Sequence, residues 1–262
     1  MTAAIHDGWV VAKRNLIKIK RIPDLLIFST IQPIMFVLLF AYVFGYAIPT
    51  QGVSYREYLM PGIFVQTVAF GSAITALGLA EDLQKGMVDR FRSLPMSRAA
   101  VLLGRTTSDL INNGFVVVVM SLTGLIVGWR IHNGVLKAIW GYLLLLAFGY
   151  AMSWISAYIG LSVRSVEVAQ SAGFIWLFPV TFLSNAFVPT DNMPTFLRTI
   201  VDWNPISSMV LSLRLLFGNA GQETGTGFPA EHPYLLAVGW IVLILIVFVP
   251  LSIAKYRKAA SR

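Results

Sequence analysis

Residues 25–46 form an unbroken run of 22 positions without a charged side chain, and uncharged runs of similar length recur at 59–80, 138–163, 168–188 and 234–254. A helix needs about 20 apolar residues to cross the hydrocarbon of a bilayer. Within hydrocarbon each segment must satisfy its own backbone hydrogen bonds, so runs of this kind cross as helices. Residues 109–128 make a sixth candidate, with Asp109 at its very start. The composition agrees: 56% of the 262 residues are hydrophobic and 12% are charged, too little charge to coat a soluble domain of this length. The sequence predicts an all-α integral membrane protein, a single domain over 1–262 with six transmembrane helices.

The connections are as informative as the runs. Residues 1–22 read as an amphipathic interfacial helix, with Ile5, Trp9, Ala12, Leu16 and Ile19 on one face and Arg14, Lys18 and Arg21 on another. It serves either as a basic anchor in lipid or as an elbow that also touches a partner. Residues 25–46 exceed the apolar core of a cleaved signal peptide and lack a small-x-small cleavage site, so they read as a permanent span, with Gln32 and Pro33 inside it. Span three carries Asn112 and Asn113 near its start, and span four carries Gly149, Ser153, Ala157 and Gly160 along one face, a seam for close helix packing. In the long connection 189–233, the apolar stretch 206–217 is too short to cross and reads as a re-entrant or interfacial helix.

The net charge of +8 does not point to nucleic acid, because the basic residues cluster at the ends of apolar runs, where they orient spans and meet anionic lipid. On alternate sides of the six spans the Lys and Arg residues divide fifteen to five, with Arg56, Arg130, Lys137, Arg198 and Arg214 on the poorer side. The richer side is cytoplasmic by the positive-inside rule. Both termini and the segment 81–105 then face the cytoplasm, and 189–233 faces outward. With no Cys, thiolate chemistry is excluded, and His6, His132 and His232 are too scattered for a metal centre.

The segment 81–105, EDLQKGMVDRFRSLPMSRAAVLLGR, mixes both signs of charge between two spans and must leave the bilayer. Met87, Arg90, Phe91 and Leu94 share one helical face, Pro95 ends that helix, and Ser97 opens the next with Arg98 in its first turn. The spans hold almost no ionisable side chain to bind a coupling ion, and no GxxxxGK[ST] loop binds nucleotide. Such a chain is a passive channel, an enzyme, or a membrane subunit driven by another protein. No cluster of polar catalytic groups at one depth supports the enzyme. The charged segment is either a docking element for a driving subunit or only a topology signal.

Placed after the second of six spans, this segment resembles the membrane subunits of type-2 ABC exporters, in particular the daunorubicin-resistance permeases. The stretch PISSMVLSLR, residues 205–214, is similar to the end of that family's signature, and the resemblance covers most of the chain. It implies a multi-pass protein of the bacterial cytoplasmic membrane that is not itself catalytic and binds no cofactor. ATP and Mg would sit on separate cytoplasmic ABC ATPase subunits, two per transporter, with a second permease copy or a paralogue completing a dimer in lipid. The coupling helix of the family maps to Glu81, Asp82, Lys85, Gly86, Asp89, Arg90, Arg92, Ser93, Leu94 and Pro95.

The family's route lies at the dimer interface, lined by spans two and five. Span two offers Gln66, Phe70 and Ile74 on one face, and span five offers Gln170, Phe174, Phe178, Thr181 and Asn185. Either stripe would also serve as ordinary helix packing, with amides bonding across helices. The expected function is export of an amphipathic drug-like or lipid-like molecule, a multidrug efflux or antibiotic-resistance activity. Export of a lipid-linked polysaccharide or teichoic-acid-like glycan, and passive conduction, are the alternatives.

Overall fold

The computed structural model describes residues 23–44, 52–86, 98–163, 165–190, 193–221 and 227–259. The elbow at 1–22 and the coupling positions Asp89, Arg90, Arg92, Ser93, Leu94 and Pro95 lie outside the described residues. Among the described residues every regular element is helical. α1 spans Pro23–Leu39 and passes into a π-helical turn at Phe40–Phe44. α2 (Tyr55–Gly71) and α3 (Ala73–Gln84) are nearly one helix, interrupted at Ser72. α4 is Arg98–Val127, α5 Gly134–Gly160 and α6 Val166–Phe182. The short helices α7 (Thr195–Asp202), α8 (Pro205–Phe217) and α9 (Phe228–Glu231) lead to α10, Pro233–Ala259.

Among the described residues four helical stretches are long and apolar enough to cross a membrane: Tyr55–Gln84, Ala100–Val127, Gly134–Gly160 and Pro233–Lys258. Three shorter apolar helices, Thr30–Val43, Val166–Phe182 and Pro205–Phe217, accompany them. Their outward faces are apolar: Ile111, Phe115, Val118, Leu122 and Leu125 follow one another at helical spacing on α4, all exposed. In water such a stripe would need covering; in lipid it is matched to its solvent.

Several helix ends differ from the hydropathy reading, and two of the differences have a local reason. α4 begins at Arg98 and runs without interruption into the apolar run at 109–128, because Arg105 and Asp109 are held by the neighbouring helix instead of being expelled to water. Arg105 Nη2 donates to the Ile74 carbonyl (3.0 Å), Thr75 Oγ1 donates to Asp109 Oδ2 (2.6 Å), and Arg105 Nε lies 3.4 Å from that carboxylate. The last is a charge contact, not a hydrogen bond. α6 stops at Phe182, short of Val188, because Asn204 caps it from outside: Asn204 Nδ2 donates to the carbonyls of Val180 and Leu183, both at 2.7 Å. The same side chain starts α8, its Oδ1 accepting the Ile206 amide (2.7 Å) ahead of Pro205 in the first turn. Gly218, at φ +81°, closes α8 in the left-handed conformation that only glycine adopts without strain.

α5 is the central helix, in contact with α2, α3, α4, α6, α8 and α10. Its small-residue seam makes this possible. A Cβ on Gly160 would stand 2.5 Å from the Ala76 carbonyl oxygen, and one on Gly149 would stand 2.2 Å from a Val68 methyl. Ser156 and Ser72 hydroxyls meet across the seam at 3.0 Å. At one end Phe64, Trp129, Tyr142 and Phe217 interlock edge to face, with centroids 5.2–6.3 Å apart. At the other end Leu79, Leu102, Trp154, Leu161 and Tyr256 join α3, α4, α5 and α10 beside the charged segment.

Arg214 departs most from the sequence reading. Counted as a topology-marking basic residue, it is fully buried. Its guanidinium lies over the Tyr58 ring at 3.5 Å and donates to the carbonyls of Tyr58 (3.0 Å), Asn185 (2.9 Å) and Ala186 (3.4 Å). It is a structural clamp between α8, the start of α2 and the segment after α6.

Candidate functional site

The break at Ser72 shapes the site. Its hydroxyl donates to the Ala69 carbonyl at 2.6 Å, and the adjoining Gly71 lowers helix propensity, so the helix is interrupted where glycine and serine meet. Against the break, α1, α2, α3, α4 and α6 line a half-open cavity of about 260 Å³. α1 contributes Gln32, Pro33 and Phe36; α2 and α3 on either side of the break contribute Gln66, Thr67, Phe70, Gly71, Ala73, Ile74 and Leu77. α4 adds Asn112, Asn113 and Val116, and α6 adds Gln170 and Phe174. The polar groups in this wall are mostly carboxamides, and none of the described residues that line it is charged.

Of the two stripes read in the sequence, Gln66, Phe70, Ile74, Gln170 and Phe174 come together in this cavity. Gln66 is buried and Ile74 is exposed. The other three residues do not join them. Phe178 stands at the edge, its ring 5.3 Å from Phe70. Thr181 is fully buried in the packing of α6, and Asn185 lies beyond the end of α6, where its backbone carbonyl receives Tyr58 and Arg214. The exposed line along α6 continues from Phe178 to Phe182 instead, with rings stacked 5.7 Å apart. From there contacts pass through Phe187 (5.7 Å) and Phe40 (5.0 Å) to Phe36 (5.8 Å), an aromatic chain that leaves the cavity along α6 and returns along α1.

Gln32, Phe36, Asn112 and Asn113 were visible as a ring and amides within the predicted spans, the two asparagines near the start of the third, but no stripe in the sequence included them. The available signal was physical: a carboxamide within a span is disfavoured against lipid and turns toward protein or a cavity. Asn113 is 4% exposed and its Nδ2 has no hydrogen-bond partner. Leaving such a donor unmade costs about 1–3 kcal/mol. Gly71 accommodates the amide, since a Cβ there would come 2.4 Å from Asn113 Oδ1.

At the neighbouring end of the bundle, Glu81 and Asp82 lie in the last turn of α3, and Lys85 caps it with Nζ 3.4 Å from Glu81 Oε2. Gly86, at φ +62°, follows. Between these residues and the cavity sits the Arg105–Asp109–Thr75 group, with Gly78 giving the guanidinium its place, since a Cβ there would lie 2.0 Å from Arg105 Nη2. Replacing Asp109 by Leu is expected to destabilise the protein by about 2 kcal/mol, because Arg105 keeps its charge but loses its counterion in a mostly buried site. Asp109→Asn retains an acceptor for Thr75 and should cost less. Thermal unfolding in detergent checks this order, and equal losses would remove the Thr75 bond from the account.

A helical bundle with lipid-matched faces and an amide-lined cavity between its helices defines an integral membrane protein built around an internal site. Comparison with known proteins narrows this: the profile of the ABC-2 type transporter family matches residues 7–218, and the chain belongs to that family. It is 34% identical over 209 residues, 79% of this chain and 74% of the relative, to the daunorubicin resistance ABC transporter permease protein DrrB1 of Streptomyces coeruleorubidus. It is 25% identical over 260 residues, 97% of this chain and 89% of the relative, to the putative transport permease ycf38 of Cyanophora paradoxa. A probable doxorubicin resistance ABC transporter permease protein, DrrC of Mycobacterium tuberculosis, is 24% identical over 237 residues, 89% of this chain and 82% of the relative. The chain is an ABC transporter permease of the membrane, related to drug-resistance permeases.

Proposed function

We propose that this chain is the permease subunit of an exporter that moves an amphipathic, drug-like molecule out of the cytoplasm, driven by ATP hydrolysis on a separate subunit. Six helical passes, α1, α2–α3, α4, α5, α6 and α10, form one permease domain with both termini and the 81–105 segment in the cytoplasm. Two such chains, or one and a paralogue, pair in the membrane, and each docks an ATPase. The observation that carries the transport reading is the cavity, where amides and phenyl rings from α1, α2, α3, α4 and α6 meet in a chain of the ABC-2 family. An amphipathic solute is matched there on both its apolar and its polar surface.

The arrangement at the end of α3 supports the coupling role. Glu81, Asp82 and Lys85 are on the same rigid helix as Ile74 and Leu77 of the cavity wall, so a push at one end of α3 moves the other. Closure of an ATPase against 81–95 would tilt α3 about the Ser72 break and change the cavity's access. The alternatives are separated by one experiment. Inverted vesicles holding this chain with its ATPase should accumulate doxorubicin only when ATP is supplied, and Gln66→Leu with Gln170→Leu should slow uptake about tenfold by removing two polar contacts. Arg90→Glu with Arg92→Glu should abolish co-purification of the two subunits. Nucleotide-independent flux through vesicles containing this chain alone would replace the exporter with a passive channel.

A further inference from the structure

We infer that α7 is a lipid-docking element: Phe196, Leu197, Ile200 and Trp203 insert into the leaflet at whose surface α6 ends and α10 begins. The inference stands apart from the transport reading, which enters only in naming that leaflet the outer one. The stretch 206–217 reads from sequence as a re-entrant or interfacial helix, but folded into α8 most of it is buried. The short helix with an uncovered face is α7. At about 3.6 residues per turn, its residues and the following Trp203 divide into three sectors. Val201, 1% exposed, faces the protein. Thr195, Arg198, Thr199 and Asp202 share a polar sector, where Arg198 Nε lies 4.0 Å from Asp202 Oδ2. Phe196, Leu197, Ile200 and Trp203 make the third sector, all exposed, with Phe196 at 75%.

The surroundings of that sector show what covers it. Trp203 precedes Asn204, whose side chain caps the end of α6 through the Val180 and Leu183 carbonyls. The Trp203 ring stacks on Phe228 with centroids 6.2 Å apart, Phe228 meets His232 at 5.0 Å, and the His232 carbonyl accepts the Leu236 amide in the first turn of α10. α7 is thereby tied to the ends of two helices with apolar outward faces. Ile175, Phe178 and Phe182 are exposed on α6, and Leu235, Val238 and Val242 on α10. Trp203 and Tyr234 stand where those faces end, and Trp and Tyr are the side chains that settle at headgroup depth. A soluble protein docking on α7 would meet lipid beside it on both flanks. An amphipathic helix whose apolar sector enters the acyl boundary while its ions stay on the far side binds the membrane in its plane. Lipid contact at α7 then bears on Asn204, and through it on where α6 ends.

The chain has no Cys, so a nitroxide attaches only where a cysteine is introduced. Thr195→Cys, Phe196→Cys, Thr199→Cys and Ile200→Cys, all at exposed positions of the full chain, are labelled and placed in nanodiscs of phosphatidylcholine and phosphatidylglycerol. Power saturation against oxygen and a water-soluble nickel chelate reads the depth of each label. Labels at 196 and 200 should lie about 5–10 Å inside the headgroup–acyl boundary and be shielded from nickel, while those at 195 and 199 stay within its reach. Equal nickel access at all four positions, whether high or low, overturns the inference. Dipolar broadening at 200 that vanishes on dilution with unlabelled chain also overturns it, by assigning the sector to a second copy. Each adjacent pair contains the contrast, so one pair decides if a variant of the other does not fold.

Discussion

Arg214→Leu is expected to lower stability by about 3 kcal/mol or more, seen as a fall of about 5–10 °C in the thermal midpoint of the detergent-purified protein. The fully buried guanidinium holds three carbonyls from two separate parts of the chain and covers the Tyr58 ring. Leucine replaces none of those bonds, and the Ala186 and Asn185 carbonyls lose a charged donor inside the protein. Arg214→Lys should recover only part of the loss, because an ammonium cannot serve three separated carbonyls from a planar fork. A double-mutant cycle with Tyr58→Leu should give a coupling of about 1 kcal/mol from the cation–ring contact. A midpoint unmoved by Arg214→Leu would mean that the clamp contributes nothing and that the residue marks topology alone.

Gly160→Val is expected to be comparably damaging for the opposite reason: it adds atoms where none fit. A Cβ at Gly160 would meet the Ala76 carbonyl oxygen at 2.5 Å and the Ala76 Cα at 2.8 Å, which are backbone atoms of α3 and cannot rotate away. Overpacking of this kind costs about 1–3 kcal/mol. Here it would also wedge apart α3 and α5, the helices joined by the Ser72–Ser156 contact. Gly114 is the internal control. Nothing lies within 4 Å of a Cβ built there, so Gly114→Ala should be neutral or stabilise by up to about 1 kcal/mol through helix propensity. Unfolding midpoints of the two variants, measured side by side, test the assignment; a reversed order would show that the seam is not a close contact.

These two positions also mark how far the chain could be read without its fold. The Gly149 to Gly160 seam was legible, because small residues three and four apart on an apolar helix imply close packing wherever they occur. What lay against them was not, since Ala76 and Val68 are distant in sequence. Arg214 was legible as a charge and as the end of the signature-like stretch 205–214, not as a buried clamp. Its contact with Tyr58 spans 156 residues, and nothing local to PISSMVLSLR announces a carbonyl cage. The two stripes illustrate the same boundary. Gln66, Phe70, Ile74, Gln170 and Phe174 converge because helical spacing holds within each span. Thr181 and Asn185 part from them because α6 ends at Phe182 under a cap from Asn204, twenty-odd residues further on. Asn113 needed the packed bundle, since an amide's missing partner is a statement about all its neighbours at once.

By itself the sequence determined that this is a membrane protein built of apolar helices, and which family it resembles. Those properties depend on run length, spacing and local motifs, all short-range along the chain. Only the tertiary structure decided which amides share a cavity, that Arg214 is buried, and that Arg105 and Asp109 of α4 are held within the packed bundle. Each of these depends on the rotation of one helix against another, which is set by contacts between residues far apart in the chain.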